Sequence, residues 1–213
     1  MAGGERRRVH KPTKFLGRDF EAFHEAHDPV NASRIAHETA AALLERVRAY
    51  PDPDVVARLV AYTDEHGIDT IAELWSGADA RSLPGALWRV YLLRLSIRDD
   101  PYSASLLFGR GVDVLQSIDP VVAGAETPVG PNEIRELADQ ILRGVFAGDF
   151  AVALQRAAAY CRVSAAGCVS LADDARPAAP ERADELTDRA VTFTRLANEL
   201  GAAAELWRHD ALD

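Results

Sequence analysis

The side chains best suited to chemistry gather near the N-terminus: Glu21, His24, Glu25, His27 and Asp28, followed by His37 and Glu38. Four of the six histidines lie within residues 10–37. Imidazole nitrogens with carboxylate oxygens form a donor set for divalent transition metals. Glu21-x-x-His24 places carboxylate and imidazole one helical turn apart, a spacing that di-iron helical bundles use twice. His24-x-x-His27 can approach one ion from a single helical face. The metal candidates are therefore Glu21, His24, His27, His37 and Glu38. The second Glu-x-x-His of such a bundle is missing, and His-x-Glu-x-x-His does not occur. The cluster therefore reads first as surface residues that cap and hydrogen-bond around Pro29, with no cofactor expected and a divalent metal as the alternative.

Nucleophilic catalysis finds no pattern to support it. Gly-x-Ser-x-Gly is absent, and neither Cys161 nor Cys168 has an adjacent histidine. The two cysteines lack the second pair that a structural zinc site requires, and read as reduced, buried hydrophobes. Asp99-Asp100 and Asp173-Asp174 read as helix caps and loop solvation.

A second set of candidates is electrostatic. Residues 1–18 carry Arg6, Arg7, Arg8, Lys11, Lys14 and Arg18 against Glu5 alone, so a +5 arm precedes a body of −14 within a net charge of −9. The arm is expected to be flexible and able to touch an acidic partner or nucleic acid. The acidic body repels phosphate backbones, which disfavours nucleic acid as the main partner. No apolar segment follows the N-terminal arginines, and no run approaches the ~20 apolar residues of a membrane span. A cytoplasmic location without membrane contact is the resulting expectation.

The elements that must position these groups read as amphipathic helices throughout, in a chain that is 48% hydrophobic and 27% charged. Ile35, Ala36, Ala40, Leu43, Leu44 and Val47 mark a helix over about 30–50. Further helices are expected from Pro53 to Gly67 and from a capping box at Thr70-Ile71-Ala72-Glu73. The stretch 83–98 is apolar nearly all round, which predicts a central helix enclosed by others, with Tyr91 and Leu92 in the core. Leu106, Phe108, Val112, Leu115 and Ile118 predict the next helix, whose Gly109 and Gly111 would allow a close crossing against the central helix. Residues 119–131 read as a loop. Ile134, Leu137, Ile141, Val145 and Phe146 form one face of a helix that turns at Gly148-Asp149 into a second. That second helix carries Leu154, Ala157, Ala158 and Cys161 inward and is expected to stop at Gly167. Residues 169–180 read as a flexible connector to a final helix beginning at Glu181, with Leu186, Val191 or Ala190, Leu196, Leu200 and Trp207 inward. The predicted organisation is an all-α, single-domain multi-helix bundle: basic arm 1–18, helical core 19–168, connector 169–180 and C-terminal helix 181–213.

Two resemblances bear on function. Residues 55–94 resemble the first three helices of bacterial repressors of the TetR type, through His66-Gly67-Ile68, Thr70-Ile71-Ala72-Glu73 and Gly85-Ala86-Leu87-Trp88. That resemblance implies a DNA-reading helix offering Arg89, Arg94 and Arg98. Ten residues separate Trp75 from Ala86, however, more than the usual 3–4-residue turn, and the reader helix is strongly apolar. The run from Lys11 to His24 (KPTKFLGRDFEAFH), together with Arg81-Ser82-Leu83-Pro84-Gly85-Ala86-Leu87-Trp88, resembles a group of uncharacterised actinobacterial helical proteins. That resemblance implies no established activity. The reading that accounts for most of the sequence is a non-catalytic binding or regulatory protein acting through protein–protein contacts or self-association. Trp75, Trp88 and Trp207 are candidate anchors if partly exposed, with the core as the expected place of Trp88. A TetR-like regulator and a metal-binding helical protein are the alternatives.

Overall fold

The computed structural model describes residues 29–49, 74–124 and 129–213, and among them every regular element is a helix. In chain order these are α1 (Pro29–Ala49), α2 (Leu83–Asp99), α3 (Pro101–Val114), α4 (Asp119–Ala123), α5 (Pro131–Ala147), α6 (Phe150–Ala175) and α7 (Pro180–Arg208). The fold is all-α, as the periodicity predicts. The basic arm and the helices expected between Pro53 and Glu73 lie outside the described residues.

Local chemistry explains where the helices begin. Ser82 caps α2: its Oγ accepts from the Gly85 N–H at 3.3 Å and donates to the Asp79 carbonyl at 2.7 Å. Asp100 and Asp149 cap α3 and α6 by accepting from the Ser103 and Val152 N–H groups at 3.0 and 3.1 Å. Glu133 reaches back to the Gly130 N–H at the start of α5. Proline stands in the first turn of α2, α3, α5 and α7, where a missing N–H leaves no bond unmade.

α2 forms where expected and buries ten of its residues, including Leu87, Val90, Leu93 and Ile97. The most enclosed element, however, is α6, which packs against α2, α3, α4, α5 and α7 and buries fifteen residues. Seven of these are alanines. Small side chains let neighbouring helices approach closely, so α6 is buried without looking strongly hydrophobic. Its partner α7 forms an antiparallel hairpin with it across residues 176–179.

Several expectations need correction. Gly167 does not end a helix; α6 continues to Ala175, so residues 169–175 are its last turns and not a connector. A Cβ on Gly167 would lie 1.9 Å from the Leu107 carbonyl oxygen, and one on Gly111 1.9 Å from that of Val163. The close crossing is therefore between α3 and α6, not against α2, and Gly109 faces open space. That crossing turns Ala104, Leu107 and Phe108 inward, while Leu106, Val112 and Ile118 are exposed. Leu92, expected in the core, is 39% exposed because α2 presents Leu93 to its neighbours instead. On α7 Ala190 is buried and Val191 is exposed.

Every residue expected inward on α5 and on the first half of α6 is buried, and the buried faces are wider than expected, adding Ala138 and Leu142 on α5 and Phe150, Ala153 and Tyr160 on α6. Within the expected loop 119–131, Asp119–Ala123 is the short helix α4. Arg162 Nη2 meets Asp119 at 2.6 Å, and Arg156 donates to the Ala123 carbonyl at 3.1 Å, so α6 side chains hold α4 in place. At the opposite end of α5, Arg48 of α1 donates to the Val145 and Gly148 carbonyls, each at 3.1 Å. These are the unpaired acceptors of a helix C-terminus, where a cation is favoured. The same guanidinium lies 5.9 and 5.5 Å from the ring centroids of Phe150 and Trp207, tying α1, α6 and α7 together.

Candidate functional site

Among the metal candidates, the described residues His37 and Glu38 both sit on α1. His37 Nδ1 is 2.7 Å from the Ser33 carbonyl, one turn back, and Glu38 accepts from Arg34 at 2.6 Å across a solvent-exposed pair. Glu21, His24 and His27 lie outside the described residues, as do Arg6, Arg7, Arg8, Lys11 and Lys14 of the arm. No group of three or more His, Cys, Asp or Glu side chains with metal-ligand proximity occurs among the described residues. Both cysteines are buried on α6, and burial pushes their thiols above the ordinary value. A raised thiol is a poor nucleophile at neutral pH.

The arginines that a DNA-reading α2 would offer are engaged inside the molecule. Arg94, 2% exposed, donates to Asp139 of α5 at 2.7 Å, and Arg98 reaches the other oxygen of the same carboxylate at 3.4 Å. Arg89 Nε donates to Glu199 of α7 at 2.6 Å, while its Nη1 donates to the Gly85 carbonyl at 3.0 Å. Each of the three guanidinium groups is thus engaged with a carboxylate of another helix.

The surface with the most binding character lies between α2 and α7. It is an open groove of about 480 Å³ whose walls include Trp88, Leu92 and Leu93 from α2 and Phe193 and Leu196 from α7. Trp88 is half-buried and stacks on Tyr91 with centroids 5.7 Å apart, which holds its ring as a rigid wall. Phe193 packs edge-on to Tyr160 of α6 at 6.3 Å. Arg89, Arg189, Arg195 and Glu199 edge this apolar surface. Glu199 accepts from Arg89 and, at 3.2 Å, from Arg195. Arg189 makes no ion pair among the described residues; its guanidinium stands 5.9 Å from the Phe193 centroid. The described lining residues include serines and a threonine but no histidine or cysteine that could serve as base or nucleophile.

Arg189, Phe193 and Leu196, which line this groove, recur at spacings of three and four on one helical face of α7 that Leu186 begins. Sequence reading found Trp88, Leu186 and Leu196 but not Arg189 or Phe193. The available signal was an arginine–aromatic pair one turn apart on an amphipathic face, with a guanidinium placed to lie over a ring. Comparison of the chain with protein-family models, curated proteins and solved structures gives no match. Among the described residues, no helix is long and apolar enough to cross a membrane.

Proposed function

We propose that this protein is a non-catalytic helical binding module that engages a partner protein through the α2–α7 groove. The observation that carries this reading is the groove's composition: an aromatic and leucine surface, open to solvent, beside Arg189, which makes no ion pair among the described residues. Aromatic residues and arginine are the types that supply most of the energy at protein interfaces. The floor rests on α6 and α7, so it offers a preformed surface, and little ordering cost opposes binding. A DNA-reading role has less support, because Arg89, Arg94 and Arg98 are held in internal ion pairs and the chain carries a net charge of −9.

Site-specific photo-cross-linking in cells that make the protein tests this reading. A photoreactive residue at Leu92, inside the groove, is compared with one at Val121, which is 82% exposed on α4. The reading expects a discrete protein adduct from position 92 that is missing from position 121 and is lost on Arg189→Glu. Identical adducts at both positions, or none from position 92, would overturn it.

A further inference from the structure

Resting on that reading, we infer that the groove is one half of a longer channel along α7, and that the channel receives an acidic amphipathic helix of the partner. A second depression of about 320 Å³ opens where α3, the end of α6 and α7 meet. Leu106, Leu107, Leu171 and Leu186 supply its apolar surface. Arg189 borders both depressions. Arg182, Leu186, Arg189, Phe193 and Leu196 fall on one face of α7, so the two depressions are successive stretches of a single seam. From Arg182 to Glu199 that seam runs about 25 Å, the length of a helix of about 17 residues.

Charge and backbone chemistry select the occupant. Four arginines (Arg89, Arg182, Arg189 and Arg195) border the seam against two carboxylates, Asp174 and Glu199, on a protein that is acidic as a whole. Both carboxylates are already engaged, Asp174 by Arg110 at 2.6 Å and Glu199 by Arg89 and Arg195. Arg182 is paired in turn with Glu185 at 3.0 Å, and Asp100 lies near enough to Arg189 to feel its charge, so the positive excess along the seam is centred on Arg189, whose N–H donors enter no ion pair among the described residues. Leu106 and Leu92, 60% and 39% exposed on either side of Arg189, are the large apolar side chains a docked element would cover. An extended peptide would find no strand edge here to pair its backbone, whereas a helix satisfies its own N–H and carbonyl groups and needs only an apolar stripe.

Fluorescence anisotropy with defined peptides tests the inference. The probes are a fluorescein-labelled peptide of about 18 residues with leucines at i, i+3, i+4 and i+7 flanked by glutamates, the same leucines flanked by lysines, and an acidic form of about half the length. The long acidic peptide should bind at least about tenfold more tightly than either comparator. Arg189→Glu should reverse the preference between glutamate and lysine peptides. Leu106→Asp, at an exposed position, should weaken the long acidic peptide to the level of the short one, with circular dichroism confirming that both variants are folded. If the short peptide equals the long one and Leu106→Asp is silent, the channel does not extend past Arg189, although cross-linking at position 92 would still stand. No preference for glutamate over lysine would overturn the acidic-helix assignment, again independently of the cross-linking result.

Discussion

At the scale of single residues, glycines with similar sequence surroundings have opposite roles. Gly167 lies against the Leu107 carbonyl and Gly109 lies in open space, although both are mid-helix. Gly167→Ala should force α3 and α6 apart and lower stability by about 1–3 kcal/mol. Gly109→Ala should raise it by up to about 1 kcal/mol through helix propensity alone. Thermal denaturation of the two variants checks both signs. Asp119 gives a pH test. The hydrogen bonds from Arg162 hold its carboxyl below the ordinary value of 3.8, against an opposing effect of burial. A carboxylate with a depressed folded-state value contributes stability that is present above about pH 4 and is lost as pH falls through the folded value. Asp119→Asn should therefore melt below the parent at neutral pH, and the two melting curves should converge in acid.

Helix faces decide the next set of outcomes. Because α2 turns Leu93 inward and Leu92 into the groove, Leu93→Asp should cost about 3 kcal/mol or more by burying a charge. Leu92→Asp should remain within about 1 kcal/mol of the parent. Chemical denaturation of both variants tests the register directly. α2 and α5 are joined by the Arg94–Asp139 pair, whose guanidinium is nearly inaccessible. Asp139→Ala removes the carboxylate while the cation stays buried, a loss expected to cost about 3 kcal/mol. Chemical denaturation of Asp139→Ala checks this, and a variant as stable as the parent would show that this carboxylate does not hold the two helices together.

For the molecule as a whole, α6 is the helix on which most of the other described helices pack. It contacts five other helices, and its longest interface is with α7, whose Leu200, Ala203 and Ala204 are fully enclosed. The final helix is thus a wall of the core and not an appendage reached through a tether. Truncation after residue 179 should abolish cooperative thermal unfolding, because it strips one side from α6 and uncovers Tyr160 and Phe150. A sharp transition in the truncated chain would show that α7 is dispensable. The same geometry places the binding groove on a structural helix, so its walls are held by core packing.

The starts of α2, α3, α5 and α6, the Asp100 and Asp149 caps and the residues expected inward on α5 and early α6 were legible in the residues, because capping and a 3.6-residue period are local properties of the chain, whereas Asp173-Asp174, read as cap and loop, lies within α6. The all-helical class was legible as well. Choices between adjacent apolar residues were not: Leu92 or Leu93, Leu106 or Leu107, Val191 or Ala190. Each pair fits either face of its helix, and the facing element selects the one that fills its gap. Gly167 carried the signature of a terminator but allows a backbone crossing, since only a neighbouring helix distinguishes the two. The groove belongs to this second kind of property: Arg89 and Glu199 meet across 110 positions of sequence, and folding alone brings α2 beside α7.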